Sequence, residues 1–189
     1  IAVQLLMVAG AALGLVIVGV GPAATAGAHL LRRLVEGDPS DALWSEFWSV
    51  YRANLRRAAL VTAPFVAVLA LACYEALVLF SHGSGALEAA LLGAVIAVGA
   101  YAIACLAYAP HVLRRYTDPV PRALRFVALA PLLSPLTAVG VAVTWVALTA
   151  IGLRYLPVLI LAGLSVPLLL GGILVDRWLD RVDARAAES

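Results

Sequence analysis

Five long stretches of the chain carry no charged side chain: Ile1–Leu31, Ala58–Tyr74, Ala89–Leu113, Phe126–Leu153 and Tyr155–Val175. A helix that crosses a bilayer needs about 20 mostly apolar residues, each rising about 1.5 Å. Within these stretches apolar residues occupy every helical face, which describes helices in lipid or in a bundle rather than amphipathic helices on a water-soluble core. The pattern predicts an all-α polytopic membrane bundle in one domain over residues 1–189, with about five transmembrane helices at roughly 1–34, 42–80, 87–116, 119–153 and 155–184.

Ahead of the second stretch the pattern changes. In DPSDALWSEFWSVYRANLRRA, Leu43, Trp44, Phe47, Trp48, Tyr51 and Leu55 recur at helical spacing, while Ser45, Ser49, Arg52 and Arg56 recur on another face. Ser40 or Asp41 is a fitting cap. This predicts an amphipathic helix at the membrane interface that continues into the second span. It serves as a membrane anchor or as a docking surface for a partner.

Composition agrees with lipid as the solvent. Hydrophobic residues make up 64% of the chain and charged residues 13%, with a mean hydropathy of +1.03. Soluble domains carry roughly 25% charged residues. All 13 basic residues are arginines, and Arg154 is the sole one placed outside by the five-helix pattern. The rest lie between the first and second spans, between the third and fourth, or after the fifth. By the positive-inside rule this predicts an outer N-terminus and a cytoplasmic C-terminus. The first stretch lacks the basic leader of a signal peptide. A chain opening on Ile1 is expected to lack its native start.

The first stretch is too long for one straight span, since 31 residues of helix would run roughly 46 Å. Gly19-Val20-Gly21 has the look of a phosphate loop, but Pro22 has no N–H to donate and no lysine follows. Pro22 instead removes a helical hydrogen bond and crowds the carbonyl near Val18. A helix break is expected near Gly21–Pro22, with Pro22 in the first turn of the second piece. Gly21, Pro22 and Thr25, with the small residues that follow, then form a packing or docking site.

Candidate chemistry is sparse. His29, His82 and His111 have no metal-type spacing to another ligand, and Ser134, between Pro131 and Pro135, has no base nearby. Those prolines are expected to kink the fourth helix. Cys73 and Cys105 read as small buried hydrophobes lying at different depths. No enzyme activity, catalytic set, metal, cofactor or nucleic acid is expected. Glu75, near the outer end of the second span, is expected to pair with Arg154. Asp176, Asp180 and Asp183 alternate with arginines in a tail that reads as a short solvated helix.

The residues Gly21-Pro22-Ala23-Ala24-Thr25, followed by a basic exit, Phe47-Trp48, and Asn54 ahead of more arginines, resemble the YesL-like family of bacterial multi-pass membrane proteins. An extra alanine separates Pro22 from Thr25, and Leu55 stands where an aromatic is usual. The resemblance implies the bacterial cytoplasmic membrane and an accessory or regulatory role beside an ABC-type importer, with carbohydrates as the solute class. Permease subunits of that importer are the implied partners besides the bilayer, and Trp44, Phe47, Trp48, Tyr51 and Asn54 are the candidate partner or interface surface. Self-association is left open. The alternative is a solute-binding or translocating subunit, such as the substrate-capturing component of an energy-coupled importer. Glu88-Ala89-Ala90 matches the letters of a permease coupling element but falls on the outer side and lacks the glycine that should follow.

Overall fold

The computed structural model describes residues 2–13, 19–38, 41–82, 85–154 and 165–187. Every element in them is an α-helix: α1 (Ala2–Leu13), α2 (Val20–Val35), α3 (Leu43–His82), α4 (Ala86–Arg115), α5 (Val120–Leu133), α6 (Pro135–Arg154) and α7 (Ser165–Ala187). The all-helical bundle expected from the hydrophobic pattern is the observed fold.

The first apolar stretch departs from its expectation in an instructive way. It is divided, but it does not cross once. Met7 of α1 lies over Gly27 of α2, and Gly10 lies against Ala23. Contacts that rise along one helix while falling along the other mean that α1 and α2 are antiparallel. The segment is a helical hairpin, and its N-terminal end lies with Arg32 rather than opposite it. The expected outer N-terminus rested on a single crossing by this stretch, and the antiparallel α1 and α2 do not form one. Glycine makes the turn-back stable, because a Cβ on Gly27 would occupy the space of the Met7 side chain. Pro22 is the third residue of α2, where the missing N–H would have had no intrahelical partner. The second piece therefore starts just before the expected position. Gly14 and Ser40 lie outside the described residues.

Among the described residues two helices, α3 and α4, are long and apolar enough to cross a membrane, and there are three if α5 with the first part of α6 counts as one bent span. Five were expected. At 12 and 16 residues, α1 and α2 are each shorter than a span. Residues 155–164, expected to begin the fifth span, lie outside the described residues. The interfacial helix and the second span are one continuous α3 of 40 residues, about 60 Å long. The expected kink between Pro131 and Pro135 is a 90° turn of the axis. Its cause is local. Pro135 disfavours helical geometry for the residue before it, and Ser134 sits at φ −134°, ψ 62°.

The buried core gathers at one end of the bundle. Leu6, Met7, Leu30 and Phe47 join α1, α2 and α3, and Leu168 adds α7. Val61, Cys105, Val112 and Val127 join α3, α4 and α5. Tyr108, Val141, Val175 and Leu179 join α4, α6 and α7. The far halves of α3 and α4 pack on each other, with Gly99 over Ala72, and expose Leu71, Tyr74, Leu77, Phe80 and Leu87. Apolar side chains so widely exposed on long helices identify a helical membrane protein. Cys105 is buried as expected, but Cys73 is exposed because it lies on this unpacked half.

Candidate functional site

The richest polar cluster forms where α2, α4 and α7 converge at the arginine-bearing end. Asp176 is only 6% exposed. Arg114 Nη2 donates to both its carboxylate oxygens, at 2.8 and 2.9 Å, and Arg32 Nη1 donates to Oδ2 at 3.2 Å. Arg32 also holds Glu36 one turn on, at 2.5 Å. A carboxylate taken out of water needs such partners, and removing one of them leaves a costly buried charge. His111 is buried one turn before Arg114, its ring packed over Gly172, where a Cβ would stand 3.2 Å from each ring nitrogen. Arg32, His111, Gly172 and Asp176 line a small cleft with room for a water molecule rather than a solute. Arg114 Nε is buried beside this cluster without a hydrogen-bond partner.

Two further clusters extend the same end. Arg33 holds both oxygens of Glu46 at 2.8 Å and Asp38 at 2.6 Å, and His29 Nε2 meets Glu46 Oε1 at 3.0 Å. These contacts tie the end of α2 to the start of α3. Arg115 holds Asp180 and Asp183, each at 2.6 Å. Tyr116 Oη donates to Asp183 Oδ1 at 2.6 Å. Burial and the neighbouring Asp183 push the Tyr116 phenol up to about 12, and the Tyr116 hydrogen bond holds the Asp183 carboxyl below its usual range. The tail expected to be a solvated helix is therefore docked along α4 through its acidic side chains.

Arg57 works differently. Its guanidinium donates to three carbonyls, Leu113 at 3.2 Å, Tyr116 at 2.5 Å and Asp118 at 3.1 Å. The carbonyl of Leu113 is among those that the end of α4 leaves unsatisfied. The turn into α5 is thus fixed from α3.

The sequence-predicted residues divide between these regions. Gly21, Pro22 and Thr25 are all buried. A Cβ on Gly21 would strike the Thr62 side chain and stand 3.0 Å from the Ala58 carbonyl, so this glycine permits a close crossing of α2 over α3. Thr25 donates to the Gly21 carbonyl at 2.8 Å. Phe47 is fully buried between Trp48 and Tyr51. Tyr51 Oη donates to the Gly10 carbonyl at 3.0 Å, satisfying a group in the last turn of α1. Asn54 bonds the Val50 carbonyl on its own helix at 3.0 Å. Trp44 stays exposed, with its ring edge-on to Trp48 at 5.9 Å between centroids.

Glu75 does not join Arg154. It stands exposed on α3 beside Tyr74 and Leu91, with no ion-pair partner among the described residues. Among the described residues Glu75 lies beside Leu91 and Val95 of α4, whereas Arg154 ends α6, so the expected pair does not form. Among the described residues, no three His, Cys, Asp or Glu side chains are grouped to hold a metal ion. The Asp176 cluster escaped sequence reasoning. Its one legible signal was an acid placed directly after an apolar run, within reach of arginines ending two other helices.

A family model described as "Protein of unknown function, DUF624" matches residues 1–76, and the YesL-like family is known by that description. The match covers α1, α2 and most of α3, and so contains both the hairpin and the aromatic segment. No curated protein and no solved structure matches the chain.

Proposed function

We propose that this protein is an accessory or regulatory subunit of the bacterial cytoplasmic membrane, associated with an ABC-type solute importer, with permease subunits as partners and carbohydrates as the solute class. The observation that supports this over a translocating role is how the interior hydroxyls are used. Thr25, Thr62, Ser134 and Thr144 each donate to the carbonyl one turn back on the same chain, at 2.8 Å. Tyr108 meets Ser134 at 2.8 Å. Groups satisfied in this way brace helices and leave little to hold a polar solute. The association with an importer and the solute class follow from the YesL-like resemblance.

The polar cluster fits the same reading. The two oxygens of Asp176 already accept from Arg32 and Arg114, so it fastens α2, α4 and α7 together rather than serving a substrate. Purification of the full chain in mild detergent tests the proposal. Permease and ATPase subunits of an importer should co-purify. Solute uptake by the lone protein reconstituted in vesicles would overturn it in favour of the solute-translocating alternative.

A further inference from the structure

The arginines at the charged end differ in what they hold. Arg32, Arg33, Arg114, Arg115 and Arg122 hold carboxylates, and Arg57 holds carbonyls. Arg52 and Arg56 do neither. Both are exposed on α3, one turn apart, and neither has a carboxylate partner among the described residues. Ser45 and Ser49 lie in line with them, so the four residues form one polar face. Trp44 and Trp48 stand beside it, and Trp44, Ser45, Trp48, Ser49 and Arg52 line a shallow surface groove.

The opposite face of the same helix shows where this groove lies. Phe47, Tyr51 and Ala58 are buried, Phe47 and Tyr51 against the α1–α2 hairpin. That hairpin turns Leu5 and Val8 outward, 55% and 51% exposed. Its outer face is apolar and requires lipid, whereas two unpaired guanidinium groups require water or anions. Both requirements are met if the membrane boundary crosses residues 43–57 obliquely, where α3 leaves its span, with the outer face of the hairpin in the hydrocarbon and Arg52 and Arg56 at headgroup level. Tryptophan beside arginine belongs at that depth. A phosphodiester is also the anion that guanidinium and hydroxyl donors bind well together.

We propose that Ser45, Ser49, Arg52 and Arg56, flanked by Trp44 and Trp48, form a binding site for the phosphate headgroup of an anionic phospholipid. The guanidinium groups take the phosphate oxygens, the serine hydroxyls donate from the same face, and the indoles cover the glycerol and the upper acyl chain.

The test uses the full chain purified in mild detergent and offered equal amounts of phosphatidylglycerol and phosphatidylcholine, with bound lipids counted by native mass spectrometry. Each juxtamembrane arginine contributes on the order of fivefold to the affinity for anionic lipid, so two should give a preference of at least about tenfold. Arg52→Gln with Arg56→Gln should reduce it to within about twofold of parity. Its melting temperature should stay unchanged, because neither side chain makes a hydrogen bond that supports the fold. Arg52→Lys with Arg56→Lys, which keeps the charge and loses the planar fork, should retain an intermediate preference and keeps the test decisive if the glutamine variant folds poorly. Arg125→Gln, an exposed arginine on α5, should leave the preference intact. A wild-type chain indifferent to headgroup charge would overturn the site. So would an equal loss in Arg125→Gln, which would reduce the effect to overall charge, or displacement of the lipid by excess inorganic phosphate, which would make the ligand a free anion.

Discussion

The two halves of α3 live in different surroundings. From Leu43 to Thr62 the helix lies against α1, α2, α4 and α5, buries Phe47, Tyr51, Ala58 and Val61, and carries the bonds that Glu46, Tyr51 and Arg57 make with Arg33, Gly10 and Leu113. From Val68 to Phe80 it touches α4 and exposes Leu71, Tyr74, Leu77 and Phe80. The first half is specified by groups that must be satisfied in one geometry: glycines under side chains, carbonyls under a tyrosine or an arginine, carboxylates between guanidiniums. The second is apolar apart from Glu75, and lipid satisfies its apolar faces without choosing a neighbour, since lipid tails are as apolar as leucine. Structural specificity in this molecule is therefore concentrated at the charged end.

If so, substitutions of equal size should differ sharply between the halves. The largest effect is expected at Asp176. Asp176→Ala leaves Arg114, whose side chain is 19% exposed, beside a cavity without its carboxylate. Losing one partner of a buried ion pair costs about 3–5 kcal/mol. Thermal unfolding in detergent should fall accordingly, whereas Glu75→Ala on the exposed half should change stability by no more than about 0.5 kcal/mol. Equal losses at the two sites would remove the contrast.

Glycine sharpens the comparison at a smaller scale. Gly21→Val and Gly27→Val force side chains into Thr62 and Met7, and overpacking of this kind costs about 1–3 kcal/mol. Gly93, on α4, faces open space. Gly93→Ala should be neutral or stabilise by up to about 1 kcal/mol, because alanine is the better helix former. Melting temperatures of the three variants decide the matter.

What the sequence revealed follows the same division. The lipid-facing helices were legible because one property, an unbroken apolar run, determines them. The bend at Ser134 was legible because proline acts on its immediate neighbours. The α1–α2 hairpin was not, because Pro22 announces a break without fixing the angle. That angle is set by Met7 over Gly27 and Gly10 against Ala23, pairs 20 and 13 residues apart. The Asp176 cluster was hidden more deeply, since Arg32 and Asp176 are 144 residues apart. Phe47, Tyr51, Gly21 and Thr25 stood out by position, and their contacts became visible only in three dimensions.

The Glu75 and Arg154 substitutions should behave as independent changes. In a double-mutant cycle with alanine the losses should add within about 0.5 kcal/mol. A coupling clearly above that would bring the exposed half of α3 into contact with α6 and weaken the division between the regions.

The smallest effect tests whether the docked tail belongs to the specified region at all. Asp183 is depressed below the usual carboxylate range, first by the Tyr116 hydrogen bond. A depressed group contributes stability above its unfolded value of about 3.9 and loses it as pH falls through the lower folded value. Tyr116 is raised to about 12. Its contribution is complete below the unfolded value of about 10 and is lost as pH rises from there through 12. Stability from this pair should thus be flat across neutral pH and fall at both extremes. Because the Asp183 side chain is 42% exposed, solvent screening limits its acid-side part to about 1 kcal/mol at most. Tyr116→Phe should flatten the acid side and remove a tyrosinate transition at about pH 12 from an absorbance titration near 295 nm. Loss of a transition at the ordinary value of about 10 instead would mean that the tail does not rest on α4, and the specified region would end at Asp176.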